Sequence, residues 1–277
     1  MTAKCLINGE ALSEITTLDR GLNYGDGLFE TIAVVKRKLL CWDEHTKRLE
    51  IGCNKLNIAS VDKKVLEKEA LSLVDTDKKM IIKIIITRGT GNRGYKIPEN
   101  IKPTRIISVS PWAKHANKLP RSGITLRVCE YRYAKNSRLA GIKHLNRLEQ
   151  VIARSEWNDN EIAEGIVMDT DNFIIEGTMS NLFCLSKKKL YTPDLTYSGI
   201  DGVVRSKIIA LAEDLNLDIE VKNITLDSLL SMEEIFMCNS IIGIWPVKEI
   251  DGKKFTTHNV TNNIIEILEK HNYIPVL

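Results

Sequence analysis

The chain has 277 residues, of which 43% are apolar and 27% are charged. This composition is typical of a soluble globular protein, and the length favours two compact domains over one. The formal net charge is +3 with acidic and basic residues interspersed, so no strong field indicates a nucleic-acid or membrane partner. The six cysteines form no Cys-x-x-Cys pair, and Met1–Glu10 contains no signal-like apolar run. These features predict a cytoplasmic protein with free thiols and no metal site.

The first part of the chain alternates predicted strands and helices. Three stretches rich in apolar and β-branched residues predict strands: Leu28–Val35, Met80–Thr87 and Arg105–Ser110. Two stretches with apolar residues at helical spacing predict helices: Asp43–Ile58 and Val61–Val74. Asp43 is a plausible N-cap for the first of these helices. Residues 1–112 therefore predict a small N-terminal α/β domain.

The rest of the chain predicts a second, larger domain. Segment 113–121 (AKHANKLPR) is polar, contains a proline and shows neither period, so it is the predicted interdomain linker. Residues 122–277 then predict a strand-rich α/β domain. The predicted strands are Ile124–Tyr131, Gly165–Asp169, Phe173–Glu176, Leu182–Leu185, Asp218–Lys222 and Ile235–Cys238, and the predicted helices include Val204–Leu215 and Val260–Lys270.

A glycine motif at Gly89–Gly94 fits the G-x-G-x-x-G pattern of dinucleotide-binding proteins and follows a predicted strand. In those proteins the loop must open a helix whose N-terminus receives the pyrophosphate. Pro98 and Pro103 follow here instead, and they prevent a helix of useful length. The motif therefore argues against a nicotinamide cofactor and predicts a tight surface loop near a ligand.

Lys143 lies at the junction between a loop and a predicted helix over His144–Trp157, whose apolar face holds Leu145, Leu148 and Ile152. A lysine at this place is often no more than an exposed helix cap. A partly buried lysine has a larger neutral fraction, which can form imines and transfer protons. The residues by themselves leave both interpretations open.

Glu176 ends an apolar predicted strand, where a carboxylate is costly without a partner. A protonated pyridine nitrogen would serve as that partner and would make the ring an electron sink. An ordinary Arg or Lys could serve equally well, so this alternative also stays open.

Three groups of residues could bind a phosphate. Arg48 lies on a predicted helix and could bind bidentately, although such an arginine often faces solvent. The amides of Gly202-Val203-Val204 precede a helix, and its N-terminus would favour an anion. Asn239-Ser240 follows a predicted strand and offers both amide and side-chain donors.

Five motifs in this order resemble the fold-type IV pyridoxal phosphate enzymes: HxxRL, AGIKHLNRLEQ, EGTxSNLF, DGVVR and CNSIIGIWPV. The resemblance runs from Ile7 to about Val247, and EGTxSNLF is shared with branched-chain and D-amino acid aminotransferases. Three other segments look more like the aminodeoxychorismate lyases of folate synthesis: KHLNRLEQV, the Thr87–Tyr95 loop and GDGLFET at Gly25–Thr31. The resemblance implies a two-domain fold of mixed α/β class.

The resemblance also implies roles for single residues. Lys143 matches the lysine that forms the Schiff base with pyridoxal 5'-phosphate, and Glu176 matches the partner of the pyridine nitrogen. The residues that match phosphate-binding positions are Arg48, Val203, Val204, Asn239 and Ser240. At Val204 the family's aminotransferases often have a hydroxyl residue, so only the backbone could serve here.

Thr31 matches a lyase threonine that is thought to protonate the substrate. The residue before it, Glu30, stands where another lyase has threonine. Arg93 is the best candidate to bind the substrate carboxylates, and Arg88 and Arg138 are the next candidates.

The implied reaction converts 4-amino-4-deoxychorismate to 4-aminobenzoate and pyruvate in a homodimeric enzyme. The alternatives are a branched-chain or D-amino acid aminotransferase on the same fold, and a catalytically silent protein that binds the cofactor.

Overall fold

The computed structural model describes residues 4–112, 121–212 and 217–276. They form two compact units, the first comprising residues up to 112 together with Ile142–Asn146, and the second the remainder. Residues 113–120 of the predicted linker lie outside the described residues. The predicted domain boundaries, 1–112 and 122–277, therefore stay predictions. Within the described ranges, no helix combines the length and apolar character that a membrane crossing requires.

The first unit is built on an antiparallel sheet with the strand order β1-β5-β4-β2-β3. Its strands are β1 (Lys4–Ile7), β2 (Gly27–Val35), β3 (Lys38–Leu39), β4 (Met80–Thr87) and β5 (Thr104–Pro111), and its helices are α1 (Arg20–Tyr24), α2 (Trp42–Leu56) and α3 (Lys63–Ser72). Alternate residues of β2 and β4, such as Ile32 and Ile84, are fully buried, and α2 packs against β2. This alternation is what a sheet with one covered face requires.

The predicted strands and helices of this unit are confirmed, but the predicted cap of α2 is wrong. The N-cap is Cys41, in the left-handed region with φ of 50°, and it makes no side-chain capping hydrogen bond. Asp43 lies instead in the first turn, where its charge still complements the helix dipole.

The second unit contains a mixed sheet with the strand order β11-β10-β9-β12-β13-β6-β7-β8, and β14 pairs with β13. Its strands are β6 (Ile124–Tyr133), β7 (Ile162–Asp169), β8 (Ile174–Gly177), β9 (Asn181–Ser186), β10 (Lys189–Pro193), β11 (Asp218–Lys222), β12 (Glu234–Asn239), β13 (Gly243–Ile250) and β14 (Lys253–Lys254), and its helices are α4 (Leu148–Arg154), α5 (Val203–Ala210), α6 (Leu226–Leu230) and α7 (Asn259–Lys270).

Both faces of this sheet are buried, as β12 shows. Ile235 and Met237 lie in one apolar cluster with residues around α6. Phe236 and Cys238 lie in a second cluster with residues of α5 and α7. A strand covered on both faces gives a continuous apolar run, which is why β12 could be predicted.

Strand β13 had not been predicted, because Pro246 interrupts its apolar run and proline disfavours a central strand. The pairing of β13 with β6 begins only at Val247, so the proline lies just outside that register.

The predicted helix over His144–Trp157 is confirmed only over Leu148–Arg154. Helix α4 is confined to Leu148–Arg154, and the side chains of Leu148 and Ile152 are 74% and 46% exposed rather than buried. Ile142–Asn146 belongs to the first unit, where its backbone pairs with β2. Amides that pair across to a strand cannot make helical hydrogen bonds, so the helix begins only after this segment.

Candidate active site

Lys143 lies on a short extended segment alongside the first half of β2. The Phe29 amide donates to the Lys143 carbonyl at 2.9 Å, and the Leu145 amide donates to the Gly27 carbonyl at 2.9 Å. A Cβ atom at Gly27 would lie 2.5 Å from the Ile86 carbonyl oxygen and 2.8 Å from Leu145 Cδ1, so only glycine fits there. These contacts fix the backbone that carries the lysine.

The Lys143 amine lies over an aromatic ring. Its Nζ is 4.4 Å from the centroid of the half-buried Phe29 ring. A cation over a ring face is attracted by the ring quadrupole, so the ring helps to orient the ammonium group. The role of Lys143 as the Schiff-base lysine stays a prediction.

Thr31 shares a face of β2 with Phe29. The two side chains are two residues apart, so they point to the same side of the sheet at a spacing of about 7 Å. Thr31 is half-buried and pairs with Lys83 on β4. The structure therefore brings Thr31 to the side of β2 whose aromatic ring contacts the Lys143 amine.

The opposite face of β2 carries a buried cluster formed by Glu30, His45 and Arg48. The Arg48 guanidinium donates from Nε to Glu30 Oε1 at 2.8 Å and from Nη2 to Oε2 at 2.5 Å. His45 Nδ1 lies 2.7 Å from Glu30 Oε2. Burial alone would raise the pKa of Glu30, but the Arg48 charge and the His45 hydrogen bond outweigh it and lower the pKa to about 2.

His45 is the neutral member of this cluster. Burial lowers its pKa below the usual value, despite the opposing hydrogen bond and charge of Glu30. The ring therefore donates through Nδ1 to the carboxylate, and within the described residues its buried Nε2 makes no hydrogen bond. Glu30 thus orients Arg48, whose predicted contact with a phosphate stays a prediction.

Arg88 supports the fold of the first unit. Its Nε donates to Asp26 Oδ2, and its Nη1 and Nη2 donate to the carbonyls of Asn57 and Leu56, each at 2.7 Å. The side chain is buried and satisfies carbonyls at the C-terminus of α2. Its predicted contact with substrate stays a prediction, and these contacts favour a structural role instead.

Arg93 is exposed in the glycine loop, which is anchored on both sides of Gly94. Arg20 donates from Nη1 to the Gly94 carbonyl at 2.9 Å and from Nη2 to the Tyr95 carbonyl at 3.2 Å. The Gly94 amide donates to the Tyr24 hydroxyl at 3.0 Å. The structure describes every residue between β4 and β5, and none of them is helical. This agrees with the prediction made from Pro98 and Pro103.

In the second unit, Glu176 lies on β8 and is buried. Its Oε2 accepts hydrogen bonds from the Asn181 side-chain amide at 3.2 Å and from the Ile200 backbone amide at 2.9 Å. Asn181 also donates to the Ile200 carbonyl at 2.9 Å. Asn181 and Ile200 are therefore bonded to each other as well as to the Glu176 carboxylate.

Sequence reasoning missed two residues near Glu176. Burial lowers the pKa of Arg147, and the charge of Glu176 acts in the opposite direction. Burial also raises the pKa of Tyr133, and the charge of Glu176 adds to this. Arg147 could have been found, because it lies in the HLNRLEQ motif that follows the lysine, whereas Tyr133 has no such signal.

Helix α5 begins at Val203 with Gly202 as its N-cap, as the phosphate prediction requires. A Cβ atom at Gly202 would lie 1.9 Å from Asn181 Oδ1, so the backbone here approaches Asn181 as closely as only glycine allows. Val203 and Val204 are buried, which leaves their backbone as the group available to a phosphate. This contact stays a prediction.

Asn239 ends β12 and closes the turn that follows. Its Oδ1 accepts from the amides of Ile241 and Ile242 at 2.8 and 2.9 Å, and its Nδ2 donates to the Met179 carbonyl at 3.0 Å. The side chain therefore shapes the turn that contains Ser240. The predicted phosphate contacts of both residues stay predictions.

The family model of amino-transferase class IV matches residues 27–250, and the chain belongs to that family. An aminodeoxychorismate lyase of Vibrio harveyi is 37% identical over 247 residues, which are 89% of this chain and 91% of that protein. The crystal structure of 4-amino-4-deoxychorismate lyase from Pseudomonas aeruginosa matches with a TM-score of 0.92 and 36% identity, over 98% of this chain and 100% of that one. A putative branched-chain-amino-acid aminotransferase of Methanocaldococcus jannaschii is 27% identical over 96% of this chain and 94% of that protein. The predicted fold class and family resemblance are confirmed.

Proposed function

We propose that the chain is a pyridoxal 5'-phosphate-dependent lyase that converts 4-amino-4-deoxychorismate to 4-aminobenzoate and pyruvate. The observation that carries the proposal is the Lys143 amine, which lies over Phe29 on the strand that also carries Thr31. An amine and a hydroxyl in this arrangement suit a reaction that removes one proton and supplies another. The likeness to two lyases at 36% and 37% identity supports the same reaction.

The donor types among the described residues fit the cofactor. The cofactor has an aldehyde, a pyridine nitrogen and a phosphate, and the chain offers an amine, a buried carboxylate and anion-binding groups. Lys143 would hold the aldehyde carbon covalently, and Glu176 would face the pyridine nitrogen. The groups proposed to hold the phosphate are Arg48, the backbone of Val203 and Val204, Asn239 and Ser240. When bound, the cofactor supplies an electron sink for charge that develops beside the substrate nitrogen.

The chain's own residues perform the proton transfers. With the substrate bound, the Lys143 amine would take the proton from the ring carbon that bears the nitrogen. The bond between the neighbouring ring carbon and the enolpyruvyl oxygen then breaks. Thr31 donates a proton to the methylene carbon of the departing group, which becomes pyruvate, and the proton that Lys143 has taken restores the Thr31 hydroxyl. The ring becomes aromatic, so no second amino acceptor is required.

The substrate carboxylates need cationic or amide donors, and Arg93 is the proposed one. It is exposed, and the contacts of Arg20 and Tyr24 hold its loop close to α1. We assign Arg88 a structural role, because its guanidinium donates to Asp26 and to carbonyls at the C-terminal end of α2.

The wider setting follows from the proposed reaction. The product 4-aminobenzoate is used in folate synthesis, which places the enzyme in the cytoplasm. The family resemblance favours a homodimer, and sedimentation of the purified protein at several concentrations measures this state.

An assay of two reactions tests the proposal. We expect purified protein to release 4-aminobenzoate from aminodeoxychorismate. Rapid formation of glutamate from 2-oxoglutarate and a branched-chain or D-amino acid, with no 4-aminobenzoate, would establish the aminotransferase alternative. Cofactor absorbance without turnover of either substrate would indicate a catalytically silent protein.

A further inference from the structure

Glu164 of β7 is a carboxylate that the proposed reaction does not use. Its side chain is 1% exposed, and its two oxygens accept hydrogen bonds from one short stretch of chain and from its own neighbour. Oε1 accepts from the Thr178 amide at 3.0 Å and from the Thr178 hydroxyl at 2.5 Å. Oε2 accepts from the Met179 amide at 3.1 Å and from the Ser180 hydroxyl at 2.8 Å. The fifth bond to the carboxylate comes from the Gly165 amide, which donates to Oε1 at 2.9 Å.

All five contacts are donors, which suits an acceptor-only carboxylate. Among the described residues, Glu164 forms no ion pair, so neutral dipoles alone compensate for its burial. Four of the donors belong to the turn Thr178-Met179-Ser180. A buried group with this many donors fixes the conformation of the segment that supplies them.

The turn Thr178-Met179-Ser180 joins β8, which carries Glu176, to β9, which carries Asn181. The Gly177 amide donates to the Ser180 carbonyl at 2.6 Å, which closes the turn between β8 and β9. Glu176 lies two residues before the turn Thr178-Met179-Ser180, and Asn181, which donates to Glu176, is the residue after it. A Cβ atom at Gly177 would lie 2.6 Å from Ser180 Oγ, so the turn has no room for a side chain there.

The same turn also reaches Asn239. The Met179 peptide donates its amide to Glu164 and accepts at its carbonyl from Asn239 Nδ2. Asn239 in turn accepts from the amides of Ile241 and Ile242, which shape the turn that contains Ser240. Glu164 therefore holds a turn that is continuous in the chain with Glu176 and that accepts a hydrogen bond from Asn239.

We propose that Glu164 is a positioning residue for the cofactor. Through the turn Thr178-Met179-Ser180 it sets the spacing between Glu176, at the pyridine nitrogen, and the Asn239–Ser240 turn, at the phosphate. This inference rests on the cofactor contacts given in the proposed function. Glu164 itself touches neither the cofactor nor the substrate in this account.

A second buried carboxylate in the same unit provides a matched control. Glu234 is 2% exposed and accepts from the Val260 amide, the Thr261 amide and the Thr261 hydroxyl at 3.1, 2.9 and 2.7 Å. These bonds hold the first turn of α7 and involve no residue of the proposed site. A Glu→Gln change at either position places an NH₂ group against donors, so both variants lose stability.

The test uses the cofactor-free protein and pyridoxamine 5'-phosphate, which carries the ring nitrogen and the phosphate but cannot react with Lys143. We expect Glu164→Gln to weaken its binding about tenfold, measured by calorimetry. Glu234→Gln should lower the melting temperature about as much as Glu164→Gln does. Its affinity for pyridoxamine 5'-phosphate should stay within about twofold of the wild-type value. Equal affinities for Glu164→Gln and the wild type, or equal losses in both variants, would overturn the proposal.

A milder pair of variants serves if Glu164→Gln does not fold. Ser180→Ala removes one bond to Glu164, and Thr261→Val removes one bond to Glu234. We expect about threefold weaker binding for Ser180→Ala and an unchanged affinity for Thr261→Val; equal affinities in the two variants would contradict the positioning role. A wild-type protein that binds the cofactor but makes no 4-aminobenzoate would refute the lyase proposal and leave this binding test intact.

Discussion

The two units bury carboxylates in different ways. In the first, Glu30 is compensated by a charged group, the Arg48 guanidinium, and by His45. In the second, Glu164 accepts from amides and hydroxyls. An ion pair ties a buried carboxylate to one cationic side chain, whereas several neutral donors tie it to the chain segments that supply them. We therefore expect changes of charge to dominate at Glu30 and changes of local geometry to dominate at Glu164.

The largest effect is expected from Lys143→Ala in the first unit. Loss of the amine should remove the visible absorbance of the bound cofactor and nearly all turnover, because Lys143 is the proposed covalent attachment for the aldehyde carbon. Lys83→Ala is the matched control, since Lys83 Nζ also lies near the Phe29 ring, at 5.3 Å. An unchanged absorbance in Lys143→Ala would mean that another lysine holds the cofactor.

Glu30→Gln should cost roughly 3 to 5 kcal/mol in the free energy of unfolding, because it leaves Arg48 buried without its counter-charge. The matched control is Glu69→Gln, which breaks the more exposed bidentate pair with Arg105 and should cost about 1 kcal/mol or less. Urea unfolding at pH 7 measures both. Equal costs for the two variants would contradict the charge-based account of the first unit.

The same pair predicts a pH dependence. The folded-state pKa of Glu30 is about 2, below its ordinary value of 4.5, so its contribution is complete above pH 4.5 and is lost as the pH falls toward 2. The contribution is on the order of 3 kcal/mol. Glu30→Gln should therefore show a flatter acid limb than the wild type in urea unfolding, and parallel limbs would contradict this assignment.

Thr31→Ala should lower the turnover number by about 100-fold while the cofactor absorbance stays intact, because only the proton donor is lost. Thr31→Ser keeps the hydroxyl and should retain most of the activity. Steady-state kinetics and absorbance spectra check both variants. A full turnover rate in Thr31→Ala would remove the proton-donor role.

The smallest effect is expected from Arg93→Ala. We expect about a tenfold rise in KM with a smaller change in turnover, since one charged hydrogen bond to a substrate carboxylate is lost. Lys96→Ala removes another exposed cation of the same loop and should leave KM unchanged. Equal KM values for Arg93→Ala and the wild type would exclude Arg93 as the carboxylate donor.

Sequence patterns predicted the strands and helices whose period reflects burial, such as β2, β12 and α2. They failed at residues 144–147, because Leu145 continues the helical spacing of Leu148 and Ile152 although segment 142–146 pairs with the distant β2. The role of Arg88 was also beyond prediction, since two of its three acceptors are backbone carbonyls. Glu164 gave no signal, because its donors converge on it only after folding.

The most direct measurement is the yield of pyruvate and 4-aminobenzoate from aminodeoxychorismate with no oxo acid present. A lyase needs no second amino acceptor. We therefore predict that the purified holoenzyme releases one pyruvate for each 4-aminobenzoate over many turnovers. Product formation that stops after one equivalent of cofactor, or that requires an added oxo acid, would contradict it.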